Sequence, residues 1–164
     1  MRAASCKLVS LDTSSSETGY AIFLNAEYHD SGVLQSDKKL KNQPKMDDMC
    51  RRIIRLLKAE KPDIVVIERM SVGRNVRTAR ILSEIIGVVY GWCLANEETY
   101  YEEMTPTQWR SHLGFQSKLS REELKTASIE CANRRLGLHV VSDNEADAIC
   151  IGLAYIEKWK GVIT

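Results

Sequence analysis

The chain has 164 residues, of which 44% are hydrophobic and 27% charged, and its formal net charge at pH 7 is +1. These values predict one globular domain over residues 1–164, with enough apolar surface for a sizeable core. The apolar runs are shorter than a membrane span, and Asp12 follows the first of them too closely for a secretory signal. We therefore expect no contact with a membrane.

The cysteines favour a reducing environment. They are five, an odd number, and successive cysteines lie at least 19 residues apart. This spacing fits neither a disulfide framework nor a C-x-x-C zinc site. Buried, reduced thiols in the cytoplasm or another reducing intracellular compartment are the favoured interpretation. The residues concerned are Cys6, Cys50, Cys93, Cys131 and Cys150.

The basic residues are unevenly distributed along the chain. Residues 38–61 contain nine Lys or Arg against three acids, whereas residues 69–80 contain four Arg and no acid. A nearly neutral chain with segregated charge can still present a basic face to a polyanion. For residues 38–61 alone, a solvated helix face is slightly favoured. The second segment predicts a path for DNA through Arg69, Arg74, Arg77 and Arg80. For Arg69 the alternative is a side chain that points into the fold.

The first half of the chain predicts three strands and a helix. The stretch Lys7–Phe23 has the pattern of a β-hairpin, with Asp12 at the end of its first strand. A third strand follows over Glu27–Val33. After a lysine-rich loop at Asp37–Lys45, apolar residues at helical spacing predict a helix over Met46–Lys58.

The second half alternates strands and helices. Two capping-box patterns, Ser120 with Glu123 and Ser142 with Glu145, each open a helix. Together the elements predict a mixed α/β layer to which the first three strands contribute a meander. The predicted elements are a strand over Asp63–Glu68, a basic stretch over Ser71–Arg80, a helix over Ala79–Ala95, a strand over Thr99–Met104, a helix from Pro106, a helix over Arg121–Leu136 and a last helix to about Lys160.

The helix over Ala79–Ala95 carries a face of small residues. Gly87, Gly91 and Ala95 are spaced four apart, so they share one side of the helix. A smooth face of this kind suits close packing. It favours packing against the protein's own sheet and dimerisation about equally.

Three carboxylates lie at the edges of predicted buried elements. Asp12 and Glu68 end strands, and Asp147 opens the apolar run 148–156. A single Asp at a strand end is usually a turn former, but three acids in such positions indicate a site for divalent metal ions. Hard cations such as Mg²⁺ take oxygen ligands. Two ions about 3.5–4 Å apart can activate water and stabilise the leaving oxygen in phosphodiester hydrolysis.

Four segments together resemble a known family. LDTSSSETGYAIF, DIVVIERM, TPTQWRSHLG and DNEADAICIGLAY occur here in the order and spacing of the RuvC-type Holliday-junction resolvases, and the shorter, phage-like branch is the most similar. The resemblance extends from about Lys7 to Tyr155, and its first and last motifs are the most specific. It implies an RNase H-like α/β fold, with a mixed five-stranded sheet and helices on both faces.

The resemblance also implies an activity. Members of this family act as homodimers that cut four-way DNA junctions symmetrically with Mg²⁺ or Mn²⁺, in DNA recombination and repair. By this resemblance Asp12 matches the aspartate that bridges two metal ions, Glu68 the glutamate at the strand end, and Asp147 the last aspartate of the helix motif. The chain departs from the family at Asn144, where an acid or a histidine is common.

The departure leaves the fourth ligand open. Asp143 and Asn144 lie four and three residues before Asp147, on the same helix face, whereas Glu145 lies two residues away and is expected to cap the helix. A site for two divalent ions gains more from a second carboxylate than from an amide. We therefore favour Asp143 over Asn144 as the fourth ligand.

Other candidate residues carry weaker signals. For Trp109 core packing is favoured over base stacking, and Ser14 and its neighbours are turn residues, since they lack the G-x-S-x-G frame of a nucleophile. Lys118 lies in a predicted loop, where a contact to a DNA phosphate and simple solvent exposure both stay open.

Two other classes of protein compete with the nuclease. Sugar kinases and actin-like ATPases share the RNase H-like core, but they need a second, duplicated domain, for which 164 residues leave no room. A catalytically silent junction-binding protein is the other alternative. The presence of all three acids argues against silence.

Overall fold

The computed structural model describes residues 5–69 and 76–159. One five-stranded sheet runs through the molecule in the order β3-β2-β1-β4-β5. Strands β1, β2 and β3 form an antiparallel meander, whereas β4 pairs in parallel with both β1 and β5. The strands are β1 (Lys7–Asp12), β2 (Glu17–Leu24), β3 (Glu27–Gln35), β4 (Ile64–Glu68) and β5 (Tyr100–Met104).

Helices cover both faces of the sheet. On one face α1 and α2 pack on the side chains of Val9, Leu11 and Ile67; on the other, α3, α4 and α5 pack on those of Leu8, Phe23 and Val66. The predicted α/β fold, a mixed five-stranded sheet between two helical layers, is confirmed. The helices are α1 (Asn42–Glu60), α2 (Val76–Ala95), α3 (Pro106–His112), α4 (Arg121–Leu136) and α5 (Asp143–Trp159).

Local sequence signals account for most element boundaries. The capping box of Ser120 and Glu123 opens α4, and Gly137, with φ of 66°, ends it. Helix α1 begins four residues earlier than its apolar pattern predicts. Pro44 lies in the first turn, where the missing N–H has no helical acceptor and therefore costs no hydrogen bond.

The second predicted capping box is only half formed. The amide of Glu145 donates to Ser142 Oγ over 3.4 Å, but the Glu145 carboxylate accepts a hydrogen bond of 2.7 Å from Ser31 Oγ on β3. The prediction that Glu145 caps α5 with its side chain is therefore wrong. Its carboxylate ties α5 to the sheet instead.

Helix α2 is more apolar than the sequence analysis allowed for, and it decides between the two interpretations of the small-residue face. It has 20 residues with a mean hydropathy of 1.3, so it is long and apolar enough to cross a membrane. The core helices of soluble proteins meet the same two criteria. Leu82, Ile85 and Val89 are buried on its inner side. Gly87 and Gly91 are exposed, and a Cβ at either would meet nothing within 4 Å. The small-residue face therefore does not pack on the protein's own sheet.

The cysteines form no disulfide. All five have free thiols. Four are buried as predicted, but Cys6 is exposed before β1.

The close approach of α5 to the sheet depends on Gly19. This residue lies opposite Asp12 in the β1–β2 pairing, and a Cβ built on it would stand 1.9 Å from the backbone oxygen of Asn144. No side chain fits in that space. The first turn of α5 consequently lies directly over the end of β1.

We expect Gly19→Ala to lower the free energy of unfolding by about 1–3 kcal/mol, because backbone must move to admit the methyl group. Gly87→Ala is the matched control, since its added methyl meets open space. In a helix that exchange should stabilise by up to about 1 kcal/mol. Urea denaturation measures both values, and equal stabilities of the two variants would contradict the packing described.

Candidate active site

Two of the predicted acids meet at one edge of the sheet. Strands β1 and β4 are parallel neighbours, with Leu11 paired to Ile67, so the next residues, Asp12 and Glu68, both follow at the carboxyl ends. Side chains alternate between the faces of a strand. Asp12 and Glu68 therefore point to the face covered by α3, α4 and α5.

The third acid reaches the same place from α5. Ser10, two residues before Asp12, is fully buried and donates a hydrogen bond of 2.7 Å to the backbone oxygen of Ala148. This bond fixes the helix over β1 at the residue next to Asp147. Asp12, Glu68 and Asp147 consequently line one cleft of about 710 Å³.

The cleft also contains both candidates for the fourth ligand. Asp143 and Asn144 both line it. Asp143 forms an ion pair of 2.9 Å with Lys125, whose hydrogen bond lowers the pKa of the Asp143 carboxyl. The Asn144 amide donates to Glu17 over 3.2 Å. The fold thus places a carboxylate and an amide at the position that the sequence left open.

The environment of Asp147 strongly perturbs its carboxyl group. Burial, joined by the negative charge of Glu68, raises its pKa to about 6, and a hydrogen bond from Ser128 and the charge of Arg110 act in the opposite direction. Its Oδ1 is buried and has no hydrogen-bond partner among the described residues. A buried carboxylate oxygen without a donor is what a bound cation would satisfy.

Glu68 is held by a residue that sequence reasoning assigned to the core. Trp109 is fully buried, as predicted, but its Nε1 donates a hydrogen bond of 2.8 Å to Glu68 Oε2. A single indole N–H leaves no periodic signal in a sequence. The bond becomes visible only when α3 packs beneath the end of β4.

The cleft has a basic side that the sequence analysis did not identify. Arg110, Arg121 and Lys125 line it together with the acids. The guanidinium of Arg110 lies 4.7 Å from the centre of the Trp109 ring. These cations come from α3 and α4, far in sequence from the arginine-rich segment. Their charge can neutralise a phosphate next to the carboxylates.

The predicted DNA-binding residues that the structure describes do not line the cleft. Arg74 falls outside the described residues. Arg77 is exposed and donates to Asn42 over 2.6 Å, and Arg80 is exposed and pairs with Glu84. Lys118 is exposed in the loop before α4 and does not line the cleft.

Arg69 projects from the end of β4 and pairs with Glu103 on β5 over 2.9 Å, with its side chain 64% exposed. The guanidinium therefore does not enter the core.

The donor set fits hard divalent cations. Within residues 5–69 and 76–159, no three acidic, histidine or cysteine side chains are close enough together to coordinate one metal ion. Protein groups contact these acids, among them Trp109 at Glu68 and Lys125 at Asp143. All the acids of the cleft offer oxygen, and Asp147 Oδ1 lacks a donor among the described residues. The residues present therefore match Mg²⁺ or Mn²⁺ in chemistry.

Comparison with known proteins agrees with this geometry. Residues 8–155 match the family described as crossover junction endodeoxyribonuclease RuvC. This span is most of the chain, so the protein belongs to the RuvC family. Nucleases of this family depend on divalent metal ions.

Individual relatives cover nearly the whole chain. A crossover junction endodeoxyribonuclease RuvC of Caldicellulosiruptor saccharolyticus is 23% identical over 164 residues, 96% of each sequence. A structure of T. thermophilus RuvC in complex with a Holliday junction substrate has a TM-score of 0.73 at 16% identity, covering 96% of both chains. Fowlpox virus resolvase, in complex with Holliday junction DNA, has a TM-score of 0.59 at 20% identity, covering 93% of this chain and 97% of that one. These two structures establish the shared fold.

The pKa of Asp147 predicts that this acid destabilises the metal-free protein. Well below pH 3.8 the Asp147 carboxyl is protonated in both the folded and the unfolded protein. Between pH 3.8 and about 6 it is ionised in the unfolded protein but still protonated in the folded one, so the free energy of unfolding falls as pH rises. Above pH 6 the full cost is about 3 kcal/mol. In EDTA at pH 7.5 we expect Asp147→Asn to raise the Tm by several degrees, an advantage that shrinks towards pH 4.5.

Asp143→Asn is the matched control with the opposite sign. The Lys125 ion pair lowers the pKa of Asp143, so its stabilisation is present at neutral pH and is lost as pH falls through the lowered pKa. This variant should melt below wild type at pH 7.5. Thermal melts of both variants across this pH range check the two signs, and an Asp147→Asn protein less stable than wild type at pH 7.5 would contradict the argument.

Proposed function

We propose that this protein is a metal-dependent endonuclease that cleaves four-way DNA junctions, with residues 1–164 forming one nuclease domain. The observation that carries the proposal is the convergence of Asp12, Glu68 and Asp147 in one cleft that also holds Arg110 and Lys125. Family membership supports the reaction class. The relatives' names as crossover junction endodeoxyribonucleases and resolvases support the four-way junction as substrate.

Two Mg²⁺ ions, with Mn²⁺ as a substitute, are the proposed cofactors. When bound, they supply a hydroxide nucleophile at neutral pH and stabilise the leaving oxygen. Asp12, Glu68 and Asp147 would hold them, with Asp143 as the fourth ligand in preference to Asn144. Asp143 brings a negative charge to the cleft, whereas Asn144, whose Nδ2 donates to Glu17, could offer only a neutral amide oxygen.

The cations of the cleft orient the DNA. Arg110, Arg121 and Lys125 neutralise the phosphate that is cut and its neighbours, because they line the same cleft as the acids. The proposed path of the DNA then continues over Arg74, Arg77 and Arg80, with Lys118 on the opposite, α4 side. Exposed Arg and Lys bind phosphates independently of sequence, so this surface fixes the junction without reading bases.

The site is also proposed to work in pairs. A resolvase cuts two strands of a junction, and a twofold homodimer presents two equivalent sites. Helix α2 offers a surface for this assembly, because its small-residue face is exposed beside large apolar side chains. These are Gly87, Gly91 and Ala95 together with Val88 (36% exposed), Tyr90 (47%) and Leu94 (62%). Dimerisation through α2 would also cover the helix that otherwise resembles a membrane span.

The proposed cellular setting follows from the activity. An enzyme that processes DNA junctions acts where DNA is, and the free thiols fit the cytoplasm or another reducing intracellular compartment.

Asp12→Asn should abolish cleavage of a synthetic four-way junction in Mg²⁺ and leave junction binding within about twofold, because it removes metal-binding charge without altering the basic surface. Arg77→Ala is the contrasting variant. It should keep cleavage at saturating protein but reduce the slope of log affinity against log salt by about 0.9. Gel-based cleavage and fluorescence anisotropy measure the two properties. Cleavage by Asp12→Asn at the wild-type rate would contradict the metal mechanism. A wild-type protein that binds junctions but does not cut them would indicate a catalytically silent junction-binding protein.

Sedimentation velocity tests the dimer. Gly91→Arg places a charge on the exposed small-residue face without filling any internal space. We expect wild type to sediment as a dimer at micromolar concentration and Gly91→Arg as a monomer. Ala59→Arg, on the exposed side of α1, adds the same charge elsewhere and should remain dimeric. A monomeric wild type, both free and bound to a junction, is the result that would refute assembly.

A further inference from the structure

The indole of Trp109 connects the core of the protein to the cleft. Its ring is fully buried, and its Nε1–H donates to Glu68 Oε2 over 2.8 Å. A buried indole N–H usually finds an acceptor, and backbone oxygens are the commonest ones available. Here the acceptor is instead the carboxylate at the end of β4. The bond is charge-assisted and therefore stronger than one between neutral groups.

The position of the indole is fixed from several directions. Helix α3 begins with a complete capping box between Thr105 and Gln108, which sets the start of the helix. Trp109 lies in the core cluster with Val66, and its ring meets that of Phe115 edge-on at 5.6 Å. A side chain packed in this way is held in one low-energy rotamer on average. The N–H consequently points at Glu68 in a constant direction.

A fixed donor restricts the carboxylate that accepts from it. An ionised carboxylate has about four lone-pair sites, so a single N–H leaves acceptor capacity on Glu68 for other contacts. The hydrogen bond limits rotation of the carboxylate. Such contacts behind a metal ligand typically change metal affinity or activity about 10–100-fold.

We propose that Trp109 is a positioning residue that orients Glu68 for divalent metal binding. This inference rests on the proposed function, in which Glu68 is a metal ligand. Trp109 also supports the other half of the cleft, since the guanidinium of Arg110 lies over its ring. One buried side chain thus places a metal ligand through its N–H and a phosphate-binding cation through its ring face.

The two roles of the indole can be separated chemically. Trp109→Phe keeps an aromatic ring for the core and for Arg110 but removes the N–H. Trp159→Phe is the matched control, because the Trp159 Nε1 is buried without a hydrogen-bond partner among the described residues. Incorporation of benzothienylalanine at position 109 replaces the N–H by sulfur at almost unchanged ring shape. This third protein keeps the test valid if Trp109→Phe does not fold.

The experiment follows Mn²⁺ binding to the DNA-free protein by the electron paramagnetic resonance signal of free Mn²⁺. We expect the dissociation constant to rise about tenfold in Trp109→Phe and in the benzothienylalanine protein, and to stay at the wild-type value in Trp159→Phe. The same two position-109 variants should need more Mg²⁺ for half-maximal junction cleavage, with junction binding in EDTA unchanged.

Glu68→Gln separates the possible failures. If it weakens Mn²⁺ binding while both position-109 variants bind as wild type does, Trp109 is only a packing residue and the inference is overturned while the proposed metal site stands. If Glu68→Gln itself binds Mn²⁺ as wild type does, Glu68 is not a ligand. The proposed metal site then fails, and the role of Trp109 fails with it.

Discussion

The parallel pairing of β1 with β4 is the constraint on which the rest of the site depends. It brings Asp12 and Glu68, 56 residues apart in sequence, to adjacent strand ends on one face of the sheet. A shift of one residue in either strand would turn its acid to the opposite face. Register is secure because Val9, Leu11 and Ile67 must be buried against α1 and α2 on that other face. The hydrophobic core therefore specifies the placement of these two carboxylates.

A second element completes the arrangement by coming unusually close to the sheet. Gly19 leaves room for the backbone of α5, because a Cβ at this position would overlap the backbone oxygen of Asn144. The hydrogen bond from Ser10 to Ala148 holds the helix in this position. The result is a half-buried Asp147, with its Oδ1 atom buried, whose pKa is raised to about 6. A protein folded for stability alone would avoid that cost. A site that gathers negative charge to bind metal ions requires this cost. The destabilisation caused by ionised Asp147 is therefore related to the proposed activity of the cleft.

The sequence predicted the sheet, most helix boundaries and the three acids, because these depend on local periodicity, capping residues and strand ends. What it missed depends on contacts between distant elements. The Trp109–Glu68 bond, the Asp143–Lys125 pair and the place of Arg110 in the cleft arise only when α3 and α4 pack on the sheet. Glu145 shows the same limit, since its cap pattern is genuine but its carboxylate binds Ser31 on a strand 114 residues away. The outward direction of Gly87 and Gly91 likewise follows from which side of α2 meets the core.

The proposed activity depends on divalent ions that bind between the acids of β1, β4 and α5. The anomalous scattering of Mn²⁺ in crystals of the protein bound to a four-way junction locates such ions. We expect anomalous peaks in the cleft bounded by Asp12, Glu68 and Asp147, and the residues around the peaks would show whether Asp143 or Asn144 completes the ligand set. Peaks only elsewhere on the protein, with none in this cleft at saturating Mn²⁺, would contradict this expectation.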